Sequence, residues 1–524
     1  MAAKAKNLIK DLVVLLGADN VEQDQQSRDL LSQDLYETGQ IADVVVMPET
    51  LTHVTDIVKL ARLYGRSIFV RGGGMSYSKT FLPNKAGAIL VDMRGLNKIR
   101  EINEDDLYVS VEAGCTWQAL DQALAAKGLR AIFWGPFSGA TATIGGSMSQ
   151  GTANANSTKI ETSSSAVLSF EVVTGLGDVL VTGSDAQANT LPVMRAYGPD
   201  MTGLFNADAG ALGIKTAVTL KLEPRPEYSG GVSFAFESEE KLRDGFFAAA
   251  RTEETNFIVG MDAETAQIRS GKTGLKEDLK RLKQIVSTAH DPVTGLFRGL
   301  KIALAGRRVF ERAKFTAHFL VEGRSKSLLV GREKLLRGIL KTHGDEIPNA
   351  AISLMRADWF PPLPVTRFDG FRQLPFHTIL PPSQLKAFLK DYRALCEEFV
   401  PKFETSNIEK AEIYNAIGTN KCLFEPVLYW PDSLTEFHTK ISPEFYQADW
   451  QTHADNPTAR QTVDAFLSRF ITLARKAGGQ NIQIGKLYPY SADRHDENLK
   501  LLSAMKTHLD PDNIINPGAL GLPK

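Results

Sequence analysis

The stretch Arg71-Gly-Gly-Gly-Met-Ser-Tyr77 directly follows an apolar segment, residues 67–70, whose composition predicts a β-strand. A second stretch rich in small residues, Ser138-Gly-Ala-Thr-Ala-Thr-Ile-Gly-Gly-Ser-Met-Ser-Gln-Gly151, also follows a predicted strand. Because glycine has no Cβ atom, both stretches let the main chain approach a bound molecule closely and direct N–H groups at it. The two loops therefore predict a dinucleotide site.

Strands and helices alternate around these loops, and a third glycine-containing turn lies at residues 208–216. Apolar residues at helical spacing predict an N-terminal amphipathic helix over residues 1–17, not a signal peptide. The other predicted elements are strands at 42–48, 67–70, 88–93, 108–113 and 218–222, helices from Thr50 and Thr116, and a hairpin of 170–174 with 179–182.

Composition narrows the function classes. The chain has 524 residues, 43% hydrophobic and 23% charged, which is typical of a globular protein with more than one structural lobe. Lys+Arg 60 against Asp+Glu 61 gives a net charge of -1, so no overall field would attract nucleic acid. The three cysteines, Cys115, Cys396 and Cys422, are far apart in the sequence and predict neither disulfides nor a zinc site. A reducing cytoplasm is the expected location.

A change in composition and in the predicted secondary structure indicates the domain boundaries. Pro224 and Pro226 end the glycine-rich part, and the residues that follow have longer helical patterns and scattered strands. We expect a main domain at 1–226, a second lobe at 227–475, and a return to the main domain at 476–524. No internal repeats are evident.

The residues of the two glycine loops are also compatible with turns or linkers that bind no ligand. The first loop is compatible with a tight strand-to-helix turn, and residues 138–165 with a flexible linker. A Rossmann site is disfavoured because no Gly-x-Gly-x-x-Gly follows a strand. Residues 266–273 mimic a phosphate-binding P-loop, but Ala266 stands where the first glycine belongs, so a surface loop is expected.

Four motifs in order carry a family resemblance: the first loop, Thr143-Ile-Gly-Gly146, Gly210-Ala-Leu-Gly-Ile214 and Asn516-Pro-Gly518. Together they resemble FAD-linked oxidases of the vanillyl-alcohol oxidase and p-cresol methylhydroxylase superfamily, in its glycolate oxidase and D-lactate dehydrogenase-like branch. The resemblance implies an α+β fold, with an FAD-binding domain of the p-cresol methylhydroxylase type made from both chain ends. A central α+β cap domain would bind the substrate.

The resemblance also implies which residues contact FAD. The first loop would hold the diphosphate, Ile214 would touch the adenine end, and Asn516 would lie near the flavin. The predicted cofactor-binding residues are Arg71, Gly72, Gly73, Gly74, Met75, Ser76, Tyr77, Ser138, Gly139, Thr143, Gly145, Gly146, Ser149, Gly151, Gly210, Gly213, Ile214 and Asn516.

Departures from the family pattern change two expectations. Relatives with covalent flavin often have histidine where this chain has Met75, so non-covalent FAD is predicted for this loop, while a link from a cap-domain His or Tyr stays open. The His-x-Gly-Asp-Gly-Asn-x-His run of metal-dependent relatives has no counterpart, so no metal is expected. Asn481-Ile-Gln-Ile-Gly485 replaces Glu-His-Gly-Ile-Gly, which weakens a 2-hydroxy-acid assignment.

The implied reaction is hydride transfer from a CH–OH group of a small hydroxy acid, aromatic alcohol or phenol to flavin N5. Alternatives are group transfer of the alkylglycerone-phosphate synthase type, phenol oxidation of the vanillyl-alcohol oxidase type, and a binding protein without activity. A proton acceptor and a group for the substrate's polar end are then needed. The catalytic candidates are Tyr488, Tyr490, Lys486, Arg372 and His377, with simple structural packing as the alternative for these side chains.

Further expectations concern the cap and the partners. Glu425 and Tyr429 share one face of a predicted strand at 424–430, and Pro426 favours a sheet edge. Residues 296–314 interleave basic and apolar side chains, which fits peripheral contact with an anionic inner membrane face or an ordinary solvated helix. Expected partners are a small-molecule substrate and oxygen, a quinone or another redox protein as electron acceptor. The sequence leaves a homodimer open.

Overall fold

The computed structural model describes residues 2–154, 156–265, 313–361 and 365–524 and divides into two compact units. The first unit contains Met1–Ala153, Thr162–Arg225 and Ile482–Lys524, and the second contains Asn154–Glu161 and Pro226–Asn481. The predicted change of domain at 226 falls beside one of these boundaries. The prediction did not foresee that 154–161 groups with the second unit, and it placed the C-terminal return at 476, before Ile482.

A small, mostly parallel sheet opens the first unit. Its order is β1-β2-β4-β3, with β1 alone antiparallel. The helix Leu51–Tyr64 links β2 to β3; Thr50 accepts a hydrogen bond from the His53 amide at its start, and Gly65 ends it in the left-handed conformation. The strands are Val21–Glu22 (β1), Val44–Val46 (β2), Ile68–Arg71 (β3) and Ile89–Asp92 (β4).

A second, antiparallel sheet completes the first unit. Its order is β5-β6-β10-β8-β9, and β7 pairs with the far end of β10. The long central strand β10 begins where the third glycine turn ends. The strands are Ile99–Asn103 (β5), Tyr108–Glu112 (β6), Leu129–Ala131 (β7), Val167–Val173 (β8), Val179–Val181 (β9) and Ile214–Pro224 (β10). The helices of this unit are Ala2–Leu16, Gln25–Leu31, Leu51–Tyr64, Trp117–Ala125, Ile144–Gln150, Met201–Leu204 and Asp496–Leu509.

The second unit is built on one large antiparallel sheet of order β14-β11-β13-β12-β17-β18-β15, with β16 also paired to β18. The strands are Tyr228–Phe236 (β11), Phe257–Asp262 (β12), Phe315–Gly323 (β13), Asp345–Ile347 (β14), Arg372–Pro375 (β15), Thr378–Leu380 (β16), Glu409–Ile417 (β17) and Lys421–Trp430 (β18). The described helices are Ser157–Ile160, Glu239–Ala250, Lys326–Leu340, Ala350–Ala357, Pro382–Ser406, Glu436–Ile441, Glu444–Gln447 and Pro457–Lys476.

Aromatic rings join the two longest helices described in the second unit to each other and to its sheet. Phe388 and Tyr392 lie on helix Pro382–Ser406, and Phe470 lies on helix Pro457–Lys476. Phe470 meets both rings edge-on, at centroid distances of 5.9 Å, and Tyr392 meets the β18 residue Phe424 at 5.0 Å. Such edge-to-face pairs add to the apolar area that the helices bury.

The expectation that Pro426 marks a sheet edge is wrong. β18 pairs with β17 on one side and with β15 and β16 on the other. Proline is tolerated there because Pro426 faces the break between β15 and β16, where its carbonyl accepts from the Phe376 amide and no ladder bond needs its missing N–H.

Two predicted features fall outside the described residues: the P-loop mimic at 266–273, and the basic amphipathic segment 296–314 except for its last two residues. Within the part of the chain that the structure describes, no helix is both long and apolar enough to cross a bilayer.

Candidate functional site

The first glycine loop begins where β3 ends, at Arg71. A Cβ atom built on Gly72 would overlap Thr143 Oγ1, and one on Gly73 would overlap the Thr141 carbonyl oxygen. Only glycine therefore fits where this loop touches the second one. Gly74 is left-handed, with φ of 76°, and the Arg71 guanidinium fills the place of its missing side chain.

The main-chain amides of the first loop are available as hydrogen-bond donors. Gly73 and Gly74 are buried and Met75 is half-buried, yet the N–H groups of these three residues donate to no acceptor among the described residues. Buried amide donors almost always have a partner, so a group from outside the protein is needed here. Successive inward-pointing amides of this kind suit an anion such as a diphosphate.

The second loop leads into the short helix Ile144–Gln150. Thr143 Oγ1 caps it by accepting from the Gly146 amide at 3.4 Å, and a Cβ atom on Gly145 would come within 2.6 Å of the Ala113 Cβ. The helix is anchored by Trp117, whose indole N–H donates to Ser147 Oγ at 2.8 Å. The glycines thus let the helix start lie directly against β6 and the first loop.

The third loop is held by a buried ion pair. Asp208 accepts from the amides of Gly210 at 3.0 Å and Leu212 at 3.3 Å, and from Lys215 Nζ at 2.6 Å. Both charged side chains are almost fully buried. Lys506 supports the same loop from the C-terminal helix, since its ammonium donates to the Ala211 carbonyl at 2.8 Å and to Asp510 at 2.5 Å.

The C-terminal segment joins the first and third loops through Asn516. Its amide N–H donates to the Ile68 carbonyl, which ties it to the strand before the first loop. The side-chain Nδ2 donates to the Ala209 carbonyl at 2.7 Å, and Oδ1 accepts from Lys486 Nζ at 2.7 Å. Asn516 therefore connects the third loop with Lys486.

All three loops and Asn516 line one cleft of the first unit, with an empty space of about 990 Å³ that includes the part open to solvent. The predicted residues that line it are Gly72, Gly73, Gly74, Met75, Ser76, Ser138, Thr143, Gly145, Gly146, Ser149, Gly210, Gly213, Ile214 and Asn516. Lining residues that the sequence analysis missed include Gln150, Thr152, Lys215 and Gln483. A signal for Lys215 was available, since it directly follows the third glycine turn.

Four predicted cofactor residues, Arg71, Tyr77, Gly139 and Gly151, are not among the lining residues. Arg71 lies beneath the first loop, 4.0 Å from Asp92 and over the Phe81 ring. Burial lowers the pKa of Arg71 to about 10. Its position supports the loop from behind instead of facing a ligand.

The candidate catalytic residues of the first unit also lie outside this lining. Tyr488 is buried, whereas Tyr490 is half-buried and stacks under Arg494, whose guanidinium carbon lies 3.7 Å from the ring centre. Lys486 donates to three main-chain carbonyls and to Asn516. Removal of its ammonium from water lowers the pKa of Lys486 to about 7.

In the second unit, the predicted substrate clamp Arg372 already has a partner. Its guanidinium lies 3.5 Å from Asp432, which is fully buried and also accepts from Arg460 at 2.8 Å. His377 is buried between β15 and β16, and its carbonyl accepts from Asn481 at 2.6 Å. These contacts favour a structural position for Arg372 over a carboxylate clamp.

Two segments of the chain match known protein families. Residues 42–183 match the family described as FAD binding domain, and residues 454–520 match the family described as FAD linked oxidases, C-terminal domain. These segments, one near each end of the chain, are therefore similar to domains of FAD-linked oxidases. This confirms the predicted resemblance and the predicted cofactor.

Individual relatives are more distant. The chain is 30% identical to the mitochondrial D-lactate dehydrogenase [cytochrome] of Arabidopsis thaliana over 227 residues, which cover 43% of this chain and 38% of that protein. It is 28% identical to glycolate oxidase subunit GlcD of Bacillus subtilis over 225 residues, 42% of this chain and 46% of that one. The chain thus spans less than half the length of the curated relatives it matches.

Solved structures extend the likeness to the whole fold. Substrate-bound p-cresol methylhydroxylase has a TM-score of 0.70 at 15% identity and covers 100% of this chain and 98% of its own. An alkyldihydroxyacetonephosphate synthase has a TM-score of 0.69 at 17% identity, covering 98% of this chain and 84% of its own. At this identity the likeness concerns the fold alone, and it confirms the predicted α+β class with an FAD-binding domain from both chain ends.

Proposed function

We propose that the protein is an FAD-dependent oxidoreductase that removes a hydride from the CH–OH carbon of a small organic molecule. The observation that carries this proposal is the set of acceptor-less amides at Gly73, Gly74 and Met75, which face a cleft built by the three glycine loops of an FAD-binding domain. Bound FAD would supply the hydride acceptor, the flavin N5.

The chain's own residues have distinct roles in this proposal. The first-loop amides hold the diphosphate, and Lys215, which lines the cleft, fixes the third loop beside it through its ion pair with Asp208. Gly210 leaves the third loop open to the ligand, because a Cβ atom there would meet only Asn516, at 3.8 Å. These groups bind and orient the cofactor and exclude water from it.

The proton acceptor is sought among the remaining candidates. Tyr488, Tyr490 and His377 stay candidates for this role from the sequence alone, since none of them is among the residues that line the cleft. Arg372 is less suited to hold the substrate, since Asp432 already neutralises it. Lys486 is not assigned this task, because its ammonium is held by protein carbonyls away from the cleft lining.

The cofactor is proposed to be bound without a covalent link to the first loop. Met75 lines the cleft where its thioether offers no nucleophilic nitrogen. We expect acid precipitation of the purified protein to leave FAD in the supernatant and a colourless pellet. A yellow pellet would show a covalent link and direct the search to a His or Tyr elsewhere in the chain.

The substrates to test are taken from the names of two partial relatives and one protein of similar fold, which are named for D-lactate, glycolate and p-cresol. The test is anaerobic mixing of the holoprotein with D-lactate, glycolate and 4-hydroxybenzyl alcohol while the flavin absorbance is followed. Stoichiometric bleaching by one of them supports the proposal and selects a hydroxy acid or a phenolic alcohol. Persistent oxidised flavin with all three would count against it.

A second candidate is flavin-dependent group transfer, favoured by the fold shared with an alkyldihydroxyacetonephosphate synthase over 98% of this chain. Exchange of an acyloxy group, released as a carboxylic acid, for the alkoxy group of an alcohol on a ketone phosphate, with no net use of an electron acceptor, would identify it. Under the main proposal, the reduced flavin is instead reoxidised by oxygen, a quinone or another redox protein. Comparing these three acceptors after photoreduction of the flavin would identify the partner.

A further inference from the structure

Lys486 makes an unusual set of contacts for a lysine outside the cleft lining. Its ammonium donates to the carbonyls of Thr80 at 2.7 Å and Leu82 at 3.1 Å, and to Asn516 Oδ1 at 2.7 Å. It also lies 4.7 Å from the centre of the Phe69 ring. A fourth acceptor, the Lys79 carbonyl, lies farther away at 3.5 Å. The three nearer acceptors match the three N–H bonds of an ammonium group, which a neutral amine could not supply.

The acceptors of Lys486 belong to different parts of the cleft. Thr80 is itself a lining residue and closes the segment that begins with the first glycine loop. Asn516 is the lining residue that reaches across to the Ala209 carbonyl of the third loop. One side chain thus connects the first loop with the residue that holds the third.

The main chain at Lys486 is equally constrained. The Lys486 amide donates to the Ser78 carbonyl at 2.9 Å, and the preceding Gly485 is left-handed, with φ of 55°. A Cβ atom on Gly485 would overlap that same carbonyl. The segment therefore lies directly on the residues that follow the first loop, and little freedom is left for the ammonium to move.

Asn516 depends on Lys486 for its orientation. The amide group could be flipped by half a turn, but Oδ1 faces the ammonium and Nδ2 faces a carbonyl, so only one orientation satisfies both neighbours. In that orientation the second Nδ2 proton remains available at the cleft wall. Without Lys486, only the bond to the Ala209 carbonyl holds the amide group, and other rotamers become accessible.

We propose that Lys486 is a positioning residue for FAD: its ammonium fixes Asn516 and the end of the first loop in the arrangement that binds the cofactor. This goes beyond the proposed reaction, because it concerns cofactor affinity whatever the substrate. It replaces the sequence-based expectation of a catalytic Lys486. A positioning role also explains why Lys486 lies where two loops meet although it does not line the cleft.

The charged surroundings of Lys486 permit a pH test. Asp34 is the nearby buried carboxylate; it accepts from the Lys79 amide at 2.9 Å, and burial raises its pKa to about 6. The side chain of Lys79 forms an ion pair with Glu37 at 2.6 Å. With the pKa of Lys486 lowered to about 7, the ammonium is lost at mildly alkaline pH.

The first experiment measures the FAD dissociation constant of the apoprotein by quenching of flavin fluorescence. We expect Lys486→Met to raise it at least tenfold, and Asn516→Ala to do the same. The matched control Lys79→Met removes a lysine of the same loop whose ammonium does not contact Asn516, and should change the constant less than twofold. Equal affinities for Lys486→Met and the wild type would overturn the proposal.

The double variant tests whether Lys486 acts through Asn516. If it does, Lys486→Met adds little further loss in an Asn516→Ala background. If the two substitutions lower the FAD affinity additively, Lys486 does not act through Asn516, and the proposal is wrong on this point. A purely structural lysine would lower thermal stability of the apoprotein without this non-additivity in FAD affinity.

The third measurement uses the wild-type protein, so it can be made even if the Lys486 variants do not fold. The FAD dissociation constant of the wild type should rise from about pH 6.5 to about pH 9, as the ammonium deprotonates. In Asp34→Asn the rise should move to lower pH, because the charge of Asp34 raises the pKa of Lys486. A constant affinity of the wild type across this range, or a rise at unchanged pH in Asp34→Asn, would contradict a role for the Lys486 charge.

Discussion

Both units contain buried ion pairs, such as Lys215 with Asp208 in the first, but they differ in what else their buried charges bind. In the first unit, Lys486 and Lys506 donate to main-chain carbonyls of the segments around the cleft, at Thr80, Leu82 and Ala211. In the second unit, buried charges chiefly neutralise one another. Glu412 there is bound by Arg393 and Lys410, and Asp432 by Arg372 and Arg460.

The difference separates cofactor support from structural support. A cation bonded to loop carbonyls fixes the backbone that a ligand will contact, whereas an ion pair inside a sheet mainly avoids the penalty of leaving a charge unpaired. Changes in the first unit should therefore alter FAD affinity, and changes in the second should alter stability. Three substitutions test this, starting with the largest expected effect.

Removing Asp432 should destabilise the protein most. Asp432→Ala removes the buried carboxylate that Arg372 and Arg460 both face, so we expect the free energy of unfolding to fall by about 3–5 kcal/mol. Urea unfolding measures this. The exposed Asp512, paired with Arg62, provides a control: Asp512→Ala should cost less than about 1 kcal/mol. A large loss of FAD affinity in folded Asp432→Ala would break the comparison.

Adding a side chain to a glycine of the first loop should lower the affinity for FAD instead of the stability. In Gly73→Ala the new methyl group would overlap the Thr141 carbonyl oxygen, which belongs to the backbone and has little room to move. Overpacking of about 3 kcal/mol corresponds to a roughly 100-fold weaker binding of FAD. Flavin fluorescence titration measures it.

The matched control for this change lies in the second unit. Gly331, within helix Lys326–Leu340, has no atom within 4 Å of the place of a Cβ. Gly331→Ala should leave FAD affinity unchanged and stabilise the protein by about 0.5–1 kcal/mol. Comparable FAD affinities for the two alanine variants would show that the first loop does not contact the cofactor.

The smallest expected effect concerns Asp262 on β12. Burial, and secondarily the charge of Glu412, raise the pKa of Asp262 to about 6. The folded state then holds the proton more tightly than the unfolded state, so this group lowers stability as pH rises from about 4 to about 6, and its full cost is present above about pH 6. The effect vanishes at more acidic pH.

Asp262→Asn removes that charge but keeps an oxygen for the Thr265 and Glu412 amides. We expect the variant to exceed the wild type in free energy of unfolding by about 1–2 kcal/mol near pH 7, and the gap to close near pH 4. The exposed Asp244 provides the control, and Asp244→Asn should show no such trend. A gap that widens on acidification would contradict the assigned direction of the pKa.

Features that depend on local chemistry were predictable from the sequence. The helices that start after Thr50 and Thr116 have those residues as caps, and strands lie where apolar runs precede the glycine loops. The cleft could be inferred because glycine is required wherever a main chain passes another closely, as at Gly72 and Gly73.

Features that depend on distant contacts were not predictable in this way. Lys486 meets acceptors that lie 404 and 406 positions earlier, so no spacing in the sequence indicates its partners. The same holds for Arg372, whose partner Asp432 is 60 positions away. Pro426 was misplaced because the gap it faces is formed by two other strands.

The order of segments along the chain constrains biogenesis. The loop at Gly72–Gly74 is synthesised before the second unit, whereas Lys486 and Asn516 emerge from the ribosome only after the whole second unit has been translated. The wall of the cleft is therefore incomplete during synthesis of the second unit. A cofactor that needs Asn516 would bind only after that unit has left the ribosome.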